Sequence, residues 1–524
     1  MPSRMTSHPS SPEMVSPLNP LHPEVPNPRG NTAERDVAVI DVGSNTVRMV
    51  HFRLEGRAIW PVFNEKVMAG LGRGVRDSGR LNPENVEIAM AALKRFERLL
   101  DAKGVTERHA VATAAVRNAK DGPDFVRRVR DETRFDLRVL SGSDEGALSA
   151  LGLVAGIPQA HGMMGDLGGS SLELTPIDHG QPGEGQTFAL GPQEAVPAGP
   201  WDADAVRKII DKSLRQEGGL SGQGGHFYAI GGAWRALAQL AFARSDYPLR
   251  VVHQFTINAK RVADLTRLTS RLSAASLAGI PGISSRRVPN IPYAALLLSR
   301  IVELGKFSHV VFSAYGLREG VLMEAQTDAV RALDPLIAGA EALARPVSPT
   351  PNFGRSLGGW IQGAMSELDT VFTPRRDQAL QQAAARLADL GARLHPDHRV
   401  DLARDSVLYA PFAGISHAER VFLAAVMHYR YGGRRRSLED LPVFHLIDDS
   451  QHDVAQMLGI TLRLGAKLSG RSAALLDRFA LRVEKNKVCL DIDESVHDLY
   501  IERSVPLLDM LATAIGRKGE VRYL

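Results

Sequence analysis

Two short stretches constrain what this chain can fold into more than anything else in it. They are "VIDVGSNTVRMV", Val39 to Val50, and "GDLGGSSLEL", Gly165 to Leu174. Each is an apolar run ending in an acid, then a bare turn of glycine and small polar residues, then a second apolar run. Asp41 and Asp166 lie 125 residues apart, and the pattern around them repeats. "DVAVID", "TVRMVHFRLEG" and "RAIWPVFNEKV" read as three strands with Gly56 at a corner. "NPENVEIAMAALKRFERLLDAKG" reads as a helix with Asn82 as N-cap, Pro83 at the first helical position, and Val86, Met90, Leu93, Phe96 and Leu100 on one face. "HAVATAAV" and "DLRVLSG" are further strands, each leading to a helix. The second unit runs strand, strand, strand ("GMMGDLGG", "SLELTPIDHG", "GQTFALGP"), then a helix from Trp201. "GHFYAIGGAWRALAQLAF" adds a strand, a double-glycine turn and a helix, and "KFSHVVFSAYGLREGVLMEAQ" a last strand and helix. A duplicated α/β unit follows, and short connections place its two turns on facing edges of two sheets.

The expected organisation is a proline-rich tail over 1–35, a first α/β domain over 36–158 and a second over 159–328. Beyond 329, "QALQQAAARLADLGARL" and "AERVFLAAVMHYRYGG" space Ala and Leu as helices do, so 329–524 reads as mostly helical with a small α/β end. Eight of the first thirty residues are proline and no apolar leader core is visible, which argues for a disordered tail and not a signal peptide. No run is long and apolar enough for a membrane span. A formal net charge of +4 and only 6% aromatics disfavour a nucleic-acid binder. The one cysteine, Cys489, sits in the alternating "NKVCLDI" and reads as a buried strand position. It excludes an internal disulfide and fits a cytoplasmic location.

Glycine lets a ligand approach the backbone, and successive turn amides with Ser or Thr hydroxyls make a nest for an anion. Gly43, Ser44, Asn45 and Thr46 supply one such set; Gly168, Gly169, Ser170 and Ser171 supply the other. Asp41 and Asp166 would repel a phosphate unless a hard cation lies between, for which Mg²⁺ is the natural choice, with Mn²⁺ possible. Either turn alone could serve a tight hairpin; two at equivalent points of a duplicated unit point to a cleft for a phosphate chain.

With "YAIGGAWRAL" as a third loop, the paired turns resemble the sugar kinase, Hsp70 and actin superfamily. More narrowly, the chain resembles the exopolyphosphatase/guanosine pentaphosphate phosphatase (Ppx/GppA) family from about Asp36 to Gln326. The matching segments are "DVGSNTVRM", "VATAAVRNA", "LSGSDEGALS", "DLGGSSLEL" and "YGLREGVL", in that order. The resemblance implies duplicated actin-like (ribonuclease H-like) α/β domains around a cleft, an HD-like helical C-terminal domain, and a homodimer. It implies Glu145 as the base that activates water, with Asp144 as runner-up. Arg117 and Thr113 would lie at the attacked phosphate and Arg48 beside the first loop. Asp166 and Asp41 would hold the metal, and Glu173 would assist. An acid at residue 145 could also serve only the helix dipole, and Glu173 could be an outward residue of an alternating strand.

The sequence departs from the family at Ser170, Leu172 and Ala233, and at Pro289 two residues beyond Arg287. Where a His-Asp pair would mark an HD metal site the chain has Ala388 and Asp389. His395, Asp397, His398, His452 and Asp453 read as polar surface, and Arg434, Arg435 and Arg436 as a solvated loop or an extension of a basic track. The expected activity is release of terminal orthophosphate from inorganic polyphosphate. The alternatives are hydrolysis of guanosine pentaphosphate, a non-catalytic (p)ppGpp or polyphosphate sensor, and an ATP-using kinase.

Overall fold

The computed structural model describes residues 34–197, 199–216, 220, 224–350, 352–499 and 504–524. The tail expected over 1–35 lies outside the described residues as far as 33. Its last residue, Arg35, already belongs to a strand, paired with Leu54.

The first sheet contains β1 (Arg35–Val42), β2 (Val47–Glu55), β3 (Ala58–Val67), β4 (Glu107–Ala112) and β5 (Leu137–Val139), in the order β3-β2-β1-β4-β5. The second contains β6 (Gly162–Leu167), β7 (Leu172–Asp178), β8 (Gln181–Pro182), β9 (Gln186–Phe188), β10 (His226–Ile230), β11 (Phe255–Asn258) and β12 (His309–Phe312). Its order is β11-β12-β10-β6-β7-β8, with β9 also on β7. In both sheets a hairpin flanks a central strand on one side and parallel strands follow on the other. The register repeats as well: Asp41 stands opposite Arg48, and Asp166 opposite Glu173. Two features depart from the repeat: β8 and β9 share the place that β3 fills in the first sheet, and β11 is added at the far edge. β11 is an antiparallel edge strand of four residues, "FTIN", which alternate buried and exposed.

Central position explains composition. In β1, Val37, Ala38, Val39 and Ile40 are all fully buried, because neighbours and layers cover both faces. β3, at the edge, alternates in and out over its second half. The helix Pro83–Ala102 begins as expected, with Asn82 Oδ1 accepting from the amides of Glu84 and Asn85.

The two units exchange their last helices. Gly142–Gly156, at the end of the first unit, packs on β6 and β7 of the second sheet; Leu317–Glu324, at the end of the second, packs on β1. The two helices cross backbone to backbone. A Cβ added at Gly320 would lie 1.8 Å from the Leu148 carbonyl oxygen, and one at Gly152 2.0 Å from that of Gly316. Apolar residues flank the crossing on both sides, with Leu148, Val321 and Met323 in one cluster and Ala150 and Leu153 in another.

From 335 onward the chain is mostly helical, built around the helices Pro374–Leu387, His417–Arg430 and Asp449–Leu468, and ends in a three-stranded sheet. That sheet is β13 (Phe479–Glu484), β14 (Lys487–Ile492) and β15 (Lys518–Tyr523), and Cys489 is buried in β14 as expected. This region docks on the lobes through Gly414 N–H to Gly156 O (2.8 Å), the Tyr247–His417 hydrogen bond (2.6 Å) and Trp60 against Phe412. Among the described residues, no helix is long and apolar enough to cross a membrane.

The glycine crossing yields a first prediction. Gly320→Ala should lower the unfolding free energy by about 1–3 kcal/mol, the usual range for overpacking. Urea denaturation of the variant against the parent checks it.

Candidate active site

The two glycine turns stand at corresponding ends of their sheets and touch. Gly43 N–H donates to Thr46 O (2.9 Å) and Gly168 N–H to Ser171 O (3.0 Å), the same closing bond in both hairpins. This corrects the expectation that Gly43 and Gly168 offer amides to phosphate, since each turn uses that amide to close its own ring. The amides of Ser44, Asn45, Gly169 and Ser170, at the tips, are not spent in it. Across the gap the Ser170 hydroxyl donates to Ser44 Oγ at 2.9 Å. A Cβ on Gly169 would sit 3.2 Å from that of Ser44, a tight contact to which the Ser44 loop would have to yield by a few tenths of an ångström.

Between the lobes lies a cavity of about 310 Å³. Of the expected site residues, Asp41, Gly43, Ser44, Asn45, Thr46, Arg48, Thr113, Glu145, Asp166, Gly168, Gly169, Ser170 and Ser171 line it. The third loop, Gly231 to Ala233, also contributes. Arg117 and Glu173 do not line this cavity. Arg117 lies on the wall of an adjoining opening of about 730 Å³, with Arg76, Ser143 and Thr187. Glu173 is buried behind Glu145 at 2% exposure, which overturns the reading of an outward strand residue.

Local structure separates the two neighbouring acids. Ser141 and Asp144 form a capping box: the Asp144 amide donates to Ser141 Oγ (3.0 Å), and the Ser141 amide to Asp144 Oδ2 (3.2 Å). Asp144 is therefore committed to the helix end. Glu145, one position on, turns inward and is gripped by Arg117 Nη1 at 3.0 Å; the same nitrogen donates to the Leu140 carbonyl at 2.9 Å. Burial pushes the Glu145 carboxyl up to about 7; Arg117 opposes this, while Asp166 and Asp41 add to it. Asp166 is raised by burial too, although Ser149 Oγ, on the exchanged helix, donates to its Oδ2 at 2.5 Å. Glu173 is raised well above the usual range by burial and by Glu145 and Asp166, and its Oε1 is buried without a partner. Asp41 accepts from Arg318 Nη1 at 3.1 Å.

These are hard oxygen donors, and the donor set suits Mg²⁺. Among the described residues no three of the carboxylates bring their oxygens within 4.8 Å of one another. A cation here would thus take one or two carboxylates and complete its shell with water and phosphate, as Mg²⁺ does.

Cations line the cavity too: Arg48, Lys66, Arg235, Arg286, Arg287 and Arg318, with Arg48 opposite Asp41 in register and Arg318 paired to it. Lys66, exposed near the end of the edge strand, is nonetheless brought down to about 8, first by partial desolvation and then by Arg287, Arg48, Arg235 and Arg318. Arg48 and Arg235 are each lowered to about 10, again by burial first and then by neighbouring arginines. Sequence reasoning missed Lys66, Arg235, Arg286 and Arg318 as site residues. Arg235 and Arg318 stood inside quoted motifs, "GGAWRAL" and "YGLREGVL", and the motifs could have named them. Lys66, on an ordinary alternating strand, carried no signal.

The C-terminal candidates resolve differently. His452 is not polar surface: it is buried on the helix Asp449–Leu468, 3.2 Å from the Phe444 carbonyl. Arg435 extends no basic track, because Asp449, Asp453 and Glu439 pair with it. Asp389 is buried beside Arg471 (3.4 Å) and Arg430 (3.9 Å).

Residues 50–328 match the family model described as "Ppx/GppA phosphatase family", more than half of the chain. The chain belongs to the Ppx/GppA phosphatase family. Residues 336–521 match a second model, "Exopolyphosphatase, C-terminal". Similar curated relatives include Exopolyphosphatase 1 of Mycobacterium leprae, 28% identical over 301 residues, covering 55% of this chain and 88% of that protein. Retrograde regulation protein 2 of Saccharomyces cerevisiae is 25% identical over 442 residues, covering 75% of this chain and 72% of its own length. Among solved structures, an exopolyphosphatase from Cytophaga hutchinsonii superposes with a TM-score of 0.51 at 23% identity, over 56% of this chain and 99% of that one. This Ppx/GppA chain therefore has the expected fold: duplicated actin-like α/β domains followed by a mostly helical domain.

The raised carboxyls make stability depend on pH. The folded protein holds the Glu145 proton up to about pH 7, whereas the unfolded chain releases it near 4.5. The folded state thus binds more protons in that window, and this group's contribution falls as pH rises through it. Glu145→Gln removes the effect. In metal-free buffer, the melting temperature of the variant relative to the parent should climb from pH 4.5 to pH 7 and then level off.

Proposed function

We propose that this Ppx/GppA protein is an exopolyphosphatase, removing terminal orthophosphate from inorganic polyphosphate by attack of a water that Glu145 deprotonates. One observation carries the reading: a buried carboxylate poised at about 7 opens onto a cavity lined by six cations, several of which lower one another's proton affinity. Like charges gathered in low dielectric are unfavourable unless an anion of several charges joins them. The lining is dominated by arginines, a lysine and polar turn residues and holds no aromatic side chain among the described residues, a composition that suits a run of phosphates. The relatives named exopolyphosphatases support the same assignment.

The chain's own groups account for each part of the reaction. Amides and hydroxyls at the tips, Ser44, Asn45, Gly169 and Ser170, bind phosphate oxygens. Arg48, Lys66, Arg235, Arg287 and Arg318 neutralise the rest of the polyanion. Glu145, with a pKa matched to neutral pH, takes a proton from water as the water oxygen attacks the terminal phosphorus. The phosphoanhydride P–O bond breaks, and the charge departs on the shortened chain. Arg117 holds the Glu145 carboxylate in place and lowers its proton affinity. Glu173, buried behind it, has its neutral form favoured by that burial and by the charges of Glu145 and Asp166. Mg²⁺, or Mn²⁺ in its place, would be held by Asp166 and Asp41, and when bound it supplies neutralisation of phosphate oxygens.

Phosphate release from polyphosphate with Mg²⁺ present tests this. Glu145→Gln should lower kcat by about 10²–10⁴-fold while polyphosphate binding persists; undiminished turnover would refute the role. The kcat/KM of the parent should rise with pH through about 7, as the base loses its proton, and Arg117→Met should move that limb to higher pH.

Lys66 gives an independent check. It discharges near pH 8, so the KM for polyphosphate should increase above that pH. Lys66→Arg, charged throughout, should flatten the rise in a KM-against-pH series.

A further inference from the structure

Four of the sixteen histidines gather at the end of the second sheet farthest from the glycine loop of β6. His161 immediately precedes β6, and His226 and His309 open β10 and β12 in register with each other. His179 sits in the turn between β7 and β8, next to Asp178. His161 Nδ1 lies 3.1 Å from Asp178 Oδ1, and His179 Nε2 lies 3.9 Å from that same oxygen. The two imidazoles stack with centroids 4.4 Å apart. One ligand atom from each of His161, Asp178 and His179 falls within 4.8 Å of the others, which no other trio of His, Cys, Asp or Glu achieves among the described residues.

The backbone holds this trio together. Gly180 N–H, at the hairpin tip, donates to Ala160 O at 2.7 Å, fixing the turn against the segment that carries His161. That contact requires glycine: φ is +82°, and a Cβ would meet Pro158 O at 2.1 Å. The His161 amide donates to the Tyr228 hydroxyl at 3.0 Å. The donor atoms are thus brought to one place by rigid elements. Their side chains remain exposed, so a cation can enter and water can fill its open positions. Two imidazoles and one carboxylate suit borderline divalent transition cations, whereas Mg²⁺ prefers oxygen alone.

We propose that His161, Asp178 and His179 form a binding site for a borderline divalent transition-metal cation of the Zn²⁺ class, on the edge of the second lobe away from the cleft. His226, next along the sheet end, stands beside it as a further imidazole. The site is independent of the chemistry proposed for the cleft.

Co²⁺ is the probe, because its visible d–d absorption reports nitrogen ligation. Tag-free protein would be titrated with Co²⁺ in excess Mg²⁺, which occupies oxygen-only sites, and then back-titrated with Zn²⁺. The expected result is one Co²⁺ per chain with a visible band that Zn²⁺ abolishes. His161→Ala and His179→Ala should each lose that equivalent while melting at the parent's temperature. Absence of the band in the parent, or its persistence in both variants, would overturn the site.

Discussion

The crossing of two exchanged helices is the constraint on which the rest of this structure depends. Gly142–Gly156 comes from the first unit but packs on the second sheet, and Leu317–Glu324 comes from the second but packs on β1. They meet at Gly152 and Gly320, where no side chain fits. As a result Glu145, encoded in the first unit, stands beside Asp166 and Glu173 of the second; Ser149, one turn on, supports Asp166. Conversely Arg318, encoded in the second unit, reaches Asp41 of the first. Each half of the site is completed by the other half of the chain.

Burial then sets the chemistry. Three carboxyls, Glu145, Asp166 and Glu173, are all raised, with desolvation the leading cause in each. Their mutual repulsion grows as they ionise, so their protons are lost in coupled steps. Only Glu145 has an arginine hydrogen-bonded to its carboxylate, and its carboxyl sits near neutrality. Among the cations of the same cavity, arginines crowd Lys66, which falls to about 8.

Much of this was readable from residues. The offset between Asp41 and Asp166 gave the duplication, and the register of β1 with β2 and of β6 with β7 repeats it. Asn82 and Pro83 marked a helix start that forms as expected. Glu145 could be named from its motif, but its separation from Asp144 depends on a capping box that occupies one acid and turns the other inward. Arg435 looked like free positive charge in "GGRRRS" because its three carboxylate partners come from its own short helix and from the one after it.

The sequence by itself determined the repeated unit, the two turns and most of the residues that line the cavity, because strand alternation, caps and turn chemistry are local. Tertiary structure alone decided the exchange of helices, the withdrawal of Gly43 and Gly168 amides into their own turns, and the burial of Glu173. It also brought Lys66, Arg235, Arg287 and Arg318 into one cavity. Proton affinities and charge clusters are set by what surrounds a side chain in space, and those neighbours come from segments that local sequence pattern does not connect.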